Sequence, residues 1–206
     1  MKFLFSKSGL LRLTQFSQSK TIYAFDFDGT LAGIVKDPAA ARLTAKTRLL
    51  LRKLNQRVPI AIVSGRGLRD LKSRVGASTR YLVGNHGLEG TSGNATKLRL
   101  AKKVCAGWRR ALSNLGQDVD VEDKTYSIAI HTRRVNDKSK SKLKIESAIG
   151  ALSPMPRIIY GKSIYNLIPK GAPHKGIAVQ KLMEESRAQY GLYVGDDDTD
   201  EDVFSA

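Results

Sequence analysis

The 206-residue sequence predicts an α/β fold, a parallel sheet with crossover helices interrupted by an inserted α+β segment. Short apolar runs at residues 21–27, 58–63, 80–83 and 192–194 alternate with stretches of helical spacing, the pattern of βαβ units. From residue 88 to about 165 the rhythm changes to two helices and short antiparallel hairpins. A chain of 22.6 kDa with 41% hydrophobic and 26% charged residues can bury a core of its own, which sets aside disorder and a coiled coil.

The elements follow in order. Residues 1–20 form a lead-in segment, with Leu10, Leu11, Leu13 and Phe16 spaced as one apolar face of a short helix. The basic, acid-free composition there also fits a transit peptide, but no continuous apolar region and no small-residue cleavage site accompany it. The first strand, 21–27, ends in acidic residues. Residues 44–56 make a helix with Thr44 as N-cap, and 58–63 a buried strand. A turn at 64–67 leads into a short helix through about Val75, then a strand at 80–83 and a turn at 84–87. In the insert, helices are expected at 97–115 and 138–151, and hairpin strands at 119–121, 126–131, 157–160 and 163–168. A helix at 174–189, a strand at 192–194 and an acidic turn at 195–201 close the pattern. The expected division is a lead-in at 1–20, a core at 21–87 and 166–206, and an insert at 88–165.

Composition narrows the function. The longest strongly apolar run, 58–63, is six residues, and a membrane helix needs roughly 20, so a cytoplasmic protein with no membrane partner is expected. Cys105 is the only cysteine, which leaves no internal disulfide and no cysteine-based zinc site, and its place on an apolar helix face reads as core. Lys and Arg total 35 against 19 Asp and Glu, a net charge of +16. Residues 90–160 hold 14 basic and 6 acidic side chains. Such a surplus favours an anionic partner (nucleic acid, a membrane surface or a phosphorylated substrate) or simply a well-solvated surface. Trp108 is the sole tryptophan, and Lys138, Lys140, Lys142 and Lys144 spread around a helix, so no stacking platform for a specific nucleic acid is evident.

The chemistry-bearing segment is Asp26-Phe27-Asp28-Gly29-Thr30-Leu31, at the carboxyl end of the first strand, where open parallel sheets bind ligands. Strand alternation puts Asp26 and Asp28 on one side, where two carboxylates can hold a cation or divide acid and base roles. An Asp-x-Asp alone also reads as an acidic capping turn. The five-residue D-x-D-G-T occurs by chance at on the order of one in 10⁵ positions. Ser64 in VSGR, Lys175 in HKG, and Asp196, Asp197 and Asp200 in GDDDTDED follow in order. Taken singly these read as a strand-to-helix cap, a solvent-facing lysine and a solvated acidic loop.

Together the four segments resemble the motifs of the haloacid dehalogenase superfamily, which implies a Rossmann-like parallel-sheet core with an inserted cap. The resemblance implies Asp26 as nucleophile, Asp28 as general acid and base, Ser64 and Lys175 on the phosphoryl group, and Mg²⁺ at Asp26, the Asp28 carbonyl, Asp196, Asp197 and Asp200. Asn85-His86-Gly87 and the run Glu122-x-Lys124-x-x-Ser127-x-Ala129-x-His131-x-Arg133 are similar to the trehalose-6-phosphate phosphatase family. That similarity implies trehalose 6-phosphate hydrolysis and a substrate-binding set of Thr30, Arg66, Asn85, His86, Glu122, Lys124, His131, Arg133 and Asn166. On a strand Glu122 and Lys124 share a face, an arrangement that suits a polyol and equally a cross-strand ion pair. Asn166 stands where the family usually has a glutamate, and Thr132 departs from its His-Tyr-Arg, which leaves a related sugar phosphate, such as sucrose 6-phosphate or mannosyl phosphoglycerate, as the alternative substrate. The sequence stops soon after the fourth motif, earlier than the resemblance leads one to expect. A monomer acting on a small-molecule sugar phosphate is the expected form.

Overall fold

The computed structural model describes residues 4–17, 20–35, 37–116, 119–133, 135, 137–161 and 163–206. In chain order the helices are α1 Lys7–Ser17, α2 Ala45–Asn55, α3 Leu68–Val75, α4 Ala95–Ala111, α5 Lys138–Gly150, α6 Lys175–Ser186 and α7 Glu201–Phe204. The strands are β1 Thr21–Phe25, β2 Ile60–Val63, β3 Tyr81–Val83, β4 Asp120–Asp123, β5 Ile128–His131, β6 Arg157–Gly161, β7 Ile164–Ile168 and β8 Tyr190–Val194. They divide into two compact units, Met1–Thr91 with His174–Ala206, and Ser92–Pro173.

The first unit carries a four-stranded sheet in the order β3-β2-β1-β8, with every pair parallel. Both faces of β2 are covered, so it reads as an unbroken apolar run instead of an alternating one. Ile60 and Ile62 pack with Leu51, Leu71 and Val75 from α2 and α3, while Ala61 and Val63 pack with Ala178, Val179 and Leu182 from α6. Burying each such Ile, Leu or Val contributes about 1.5–3 kcal/mol. Thr44 caps α2 as expected, its side chain accepting from the Thr47 N–H.

Three expectations change in the structure. Strand β1 ends at Phe25, because the chain then turns through Gly29 at φ +88° and Phe27 drops into the core below. The expected apolar face of α1 splits. Leu13 and Phe16 are half-buried, with Phe16 edge-on to Tyr190 at 5.6 Å, whereas Leu10 and Leu11 are exposed. The compact units divide at 91/92 and 173/174, a few residues beyond the expected 87/88 and 165/166; a division at 165/166 would fall inside β7, which pairs on one side with β5 and on the other with β6.

The second unit is an antiparallel sheet in the order β4-β5-β7-β6, with α4 and α5 packed on one face. Its core joins Cys105, Trp108 and Leu112 of the α4 segment to Ile145 and Ile149 of α5 and to Ile128, Ile130 and Leu167 of the sheet. Cys105 is buried as expected, and burial pushes its thiol up to about 12, which keeps it protonated and unreactive. Among the described residues, no helix is long and apolar enough to cross a membrane.

Candidate active site

The parallel sheet delivers four of the predicted site segments to its carboxyl edge: Asp26 follows β1, Ser64 follows β2, Asn85 lies two residues past β3, and Asp196 lies two past β8. Lys175 is the first residue of α6, and its ammonium reaches into this edge, fully buried. It donates to Asp26 Oδ1 at 2.9 Å and to Asp200 Oδ1 at 2.7 Å, and Asp197 Oδ1 lies 3.7 Å away. Burial pushes the Asp26 carboxyl up to about 7, against the pull of the Lys175 charge. Burial alone would lower Lys175, but Asp26, Asp197 and Asp200 hold it above the usual lysine range, so it stays an ammonium.

Asp200 is the node of the acidic turn. Its Oδ1 accepts from Lys175 and from the Tyr193 hydroxyl, and its Oδ2 accepts from the backbone N–H groups of Asp196 at 2.9 Å and Asp197 at 3.1 Å. Asp197 caps the short helical turn that follows, the Oδ1 that lies near Lys175 also accepting from the Thr199 N–H. Asp196 is exposed and accepts from the Thr30 hydroxyl at 3.0 Å. That approach depends on Gly29, since a Cβ there would stand 2.0 Å from Asp196 Oδ2.

Asp26 and Asp28, expected to meet at one point, are held by different cations. Asp28 faces Arg66, which grips it with two parallel bonds, Nε to Oδ2 and NH2 to Oδ1, both 2.7 Å. The same guanidinium lies 5.4 Å over the Phe27 ring and donates to Asp70 Oδ2 at 3.0 Å. Ser64 is buried at the end of β2, its Oγ accepting from the Arg66 N–H. Asn85 and His86 both adopt positive φ (47° and 55°) and are buried; Asn85 donates to Glu89, and the His86 ring lies against Gly65.

In the second unit, pairing places Glu122, Ala129, Asn166 and Ile159 in one transverse row on the sheet face opposite the helices. His131 and Lys124 join that face: His131 Nε2 meets Glu122 Oε2 at 2.9 Å, and Lys124 Nζ donates to Asn166 Oδ1 at 3.3 Å. Four of the residues singled out in the sequence therefore share one polar surface. Lys124 reaches it from the turn beyond β4, not from the strand itself, and Arg133 lies in a turn just after β5.

Sequence reasoning passed over Tyr193, Glu89, Asp70 and Arg74. Asp70 and Arg74 carried a signal, because with Arg66 they place opposite charges four residues apart, the spacing of neighbours on a helix. Tyr193 and Glu89 carried none, since each acts through a contact that only the fold creates.

The donor set suits a hard divalent cation. Asp26, Asp196 and Asp200 each bring a carboxylate oxygen within 4.8 Å of the others, an all-oxygen cluster of the kind that Mg²⁺ takes. Two of the three are buried, and one positive charge on Lys175 does not neutralise them.

The trehalose-phosphatase family model matches residues 24–206. The trehalose-phosphate phosphatase of Mycobacterium avium (strain 104) is 34% identical over 195 residues, a match of 88% of this chain and 50% of that protein. An uncharacterized glycosyl hydrolase of Mycobacterium tuberculosis is 33% identical over 201 residues, again 88% of this chain but 15% of the relative. The chain therefore spans half or less of the length of these relatives. Among solved structures, the C-terminal domain of C. albicans trehalose-6-phosphate phosphatase superposes with a TM-score of 0.74 at 25% identity, covering 95% of this chain and 76% of that one. A haloacid dehalogenase-like hydrolase from Bacteroides thetaiotaomicron shares the fold, with a TM-score of 0.60 at 13% identity over 89% of this chain and 84% of that one. A parallel-sheet edge carrying a buried lysine between aspartates, and a sequence match over almost all of the described chain, place this protein in the trehalose-phosphatase family.

Proposed function

We propose that the chain is a Mg²⁺-dependent phosphatase that converts trehalose 6-phosphate to trehalose and phosphate. The observation that carries this reading is the buried Asp26–Lys175–Asp200 constellation beside Ser64 at the sheet edge. Asp26 attacks phosphorus as a carboxylate and forms an aspartyl-phosphate, which splits one hard displacement into two easier ones. Asp28 gives a proton to the departing sugar oxygen, then takes one from the water that hydrolyses the intermediate. Ser64 and Lys175 hold the transferred group's oxygens, and positioning with charge stabilisation is most of what phosphoryl transfer requires of a protein.

Asp26, the Asp28 carbonyl and Asp196 would hold Mg²⁺, with Asp197 and Asp200 behind them. When bound, the cation neutralises charge on the phosphoryl oxygens. The insert would serve as the cap, with Glu122, Lys124, His131, Arg133 and Asn166 for the sugar hydroxyls; Thr30, Arg66, Asn85 and His86 complete the proposed substrate set. The protein would act as a cytoplasmic monomer, with neither nucleic acid nor membrane as a specific partner. Asn166, bonded to Lys124 and carrying no charge, is the observation that favours a second reading, in which a related sugar phosphate such as sucrose 6-phosphate is the substrate.

The test is phosphate release from trehalose 6-phosphate with and without Mg²⁺, beside sucrose 6-phosphate and glucose 6-phosphate, for the protein and for Asp26→Asn. Selective, Mg²⁺-dependent release that the variant loses is expected. Release at equal rates by both proteins sinks the reading.

A further inference from the structure

We propose that Asp70 is a positioning residue for Asp28, acting through Arg66. The inference rests on the proton-transfer role given to Asp28 above and extends it to a residue outside the four motifs. Arg66 uses its fork on Asp28, but its orientation is set by other contacts. NH1 donates to Asp70 Oδ2 at 3.0 Å, NH2 donates to the Pro38 carbonyl at 3.0 Å, and the plane lies over Phe27. Asp70 is itself gripped bidentately by Arg74, Nε to Oδ2 and NH2 to Oδ1, both 2.7 Å. Arg74 is buried and anchors its remaining donor on the Ala39 and Ala41 carbonyls at 3.0 and 2.8 Å. The result is an alternating chain of charges, Asp28–Arg66–Asp70–Arg74, tied at its far end to backbone.

Stability alone does not account for this arrangement. The Asp28 side chain is 44% exposed, and an ion pair reaching solvent on one side adds little stability. What a doubly bonded fork supplies there is orientation: it fixes both oxygens of a carboxylate that stands on a turn and would otherwise sample several rotamers. The fork holds Asp28 as the carboxylate that receives water's proton in the second step; in the first step one oxygen carries the proton and releases its Arg66 donor. In the first step an Asp26 oxygen bonds to phosphorus, the bond from phosphorus to the sugar oxygen breaks with its electron pair on that oxygen, and the Asp28 proton moves there. Asp28 is left as a carboxylate, the species a guanidinium binds. In the second step water bonds to phosphorus and gives its proton to Asp28, and Asp26 departs as a carboxylate.

The readout is leaving-group dependence. A sugar alkoxide needs the proton of Asp28, whereas 4-nitrophenolate leaves without one, so the two substrates separate a misplaced acid from a generally damaged site. The ratio kcat/KM covers the steps through the first irreversible one and so reports the phosphoryl transfer to Asp26. For Asp70→Asn, kcat/KM on trehalose 6-phosphate is expected to fall about tenfold or more, toward the range assigned to general acid catalysis, and to fall less than about threefold on 4-nitrophenyl phosphate. Equal losses on both substrates, or no loss on either, overturn the proposal. Should Asp70→Asn fail to fold in a melting experiment, Arg74→Lys asks the same question, since lysine keeps the charge but not the fork that holds Asp70, and the same selective loss is expected. A wild-type protein inactive on both substrates refutes the phosphatase reading, and this proposal with it. An active wild type with unselective variants refutes only the role of Asp70.

Discussion

Replacing Lys175 with methionine tests the centre of the site. The change keeps the stem and most of the volume but removes the one ammonium that lies between Asp26 and Asp200. Lys175, Asp26 and Asp200 are 1%, 4% and 0% exposed, so water cannot replace the lost partner. At an effective dielectric near 20, two contacts shorter than 3 Å each attract by more than about 4 kcal/mol, most of which offsets the desolvation of the three groups. The variant keeps that desolvation and loses the attraction, and breaking a buried pair in this way costs about 3–5 kcal/mol. For a chain of this size each kcal/mol moves Tm by roughly 2–4 °C, so a fall of about 6–20 °C is expected in the presence of a chelator. Mg²⁺ should restore more of the loss in the variant than it adds to the wild type, because the unbalanced carboxylates bind it more tightly. Differential scanning calorimetry of both proteins, with chelator and with Mg²⁺, measures both quantities. A variant melting within about 2 °C of the wild type in chelator would refute the reasoning.

Gly29→Ala should destabilise by about 1–2 kcal/mol from its positive φ alone, with further loss because the new Cβ displaces Asp196; denaturant melts and the Mg²⁺ concentration needed for half-maximal activity read the two effects separately. Trp108→Ala should cost about 3–5 kcal/mol, since the ring is buried and its Nε1–H donates to the Pro154 carbonyl at 2.8 Å, and the loss appears in chemical denaturation. Burial would raise the Asp70 carboxyl, but hydrogen bonds from Arg74 and Arg66 hold it below its ordinary 3.8. A depressed folded-state pKa contributes stability that is present above about pH 4 and lost as pH falls through the folded value, so wild type and Asp70→Asn should converge in stability over that acid window. Glu122→Ala should raise KM for trehalose 6-phosphate while changing kcat less than about threefold, if the polar sheet face binds substrate and transition state alike.

Much of the fold was legible because its signals are local. Thr44 announced the start of α2, and the unbroken apolar run ending in Val63 announced a strand covered on both faces. The four motif segments were legible as chemistry because carboxylates and a hydroxyl at the ends of strands, with a lysine opening a helix, have few other uses in combination. The tertiary partners were not legible. Alternation put Asp26 and Asp28 on one side of a strand, but the strand ends before them, and the partner of Asp28, Arg66, lies 38 residues further on, where no local signal points. The spacing that marked Leu10 and Leu11 as an inward face could not tell which neighbours exist to cover them. The boundary at 165/166 cuts the hairpin strand expected at 163–168, and the pairing of β7 with β5 and β6 keeps that strand whole within the insert.

The filled carboxylate of Asp200 has a further consequence. A carboxylate offers about four acceptor positions, and protein donors take four here: an ammonium, a phenol and two peptide N–H groups. The turn after β8 thus takes its shape from the polypeptide alone. If Asp26 and Asp196 hold the cation as proposed, it would meet a turn already held by these four donors. Metal exchange should then be governed by the dehydration of the ion and not by any rearrangement of the protein.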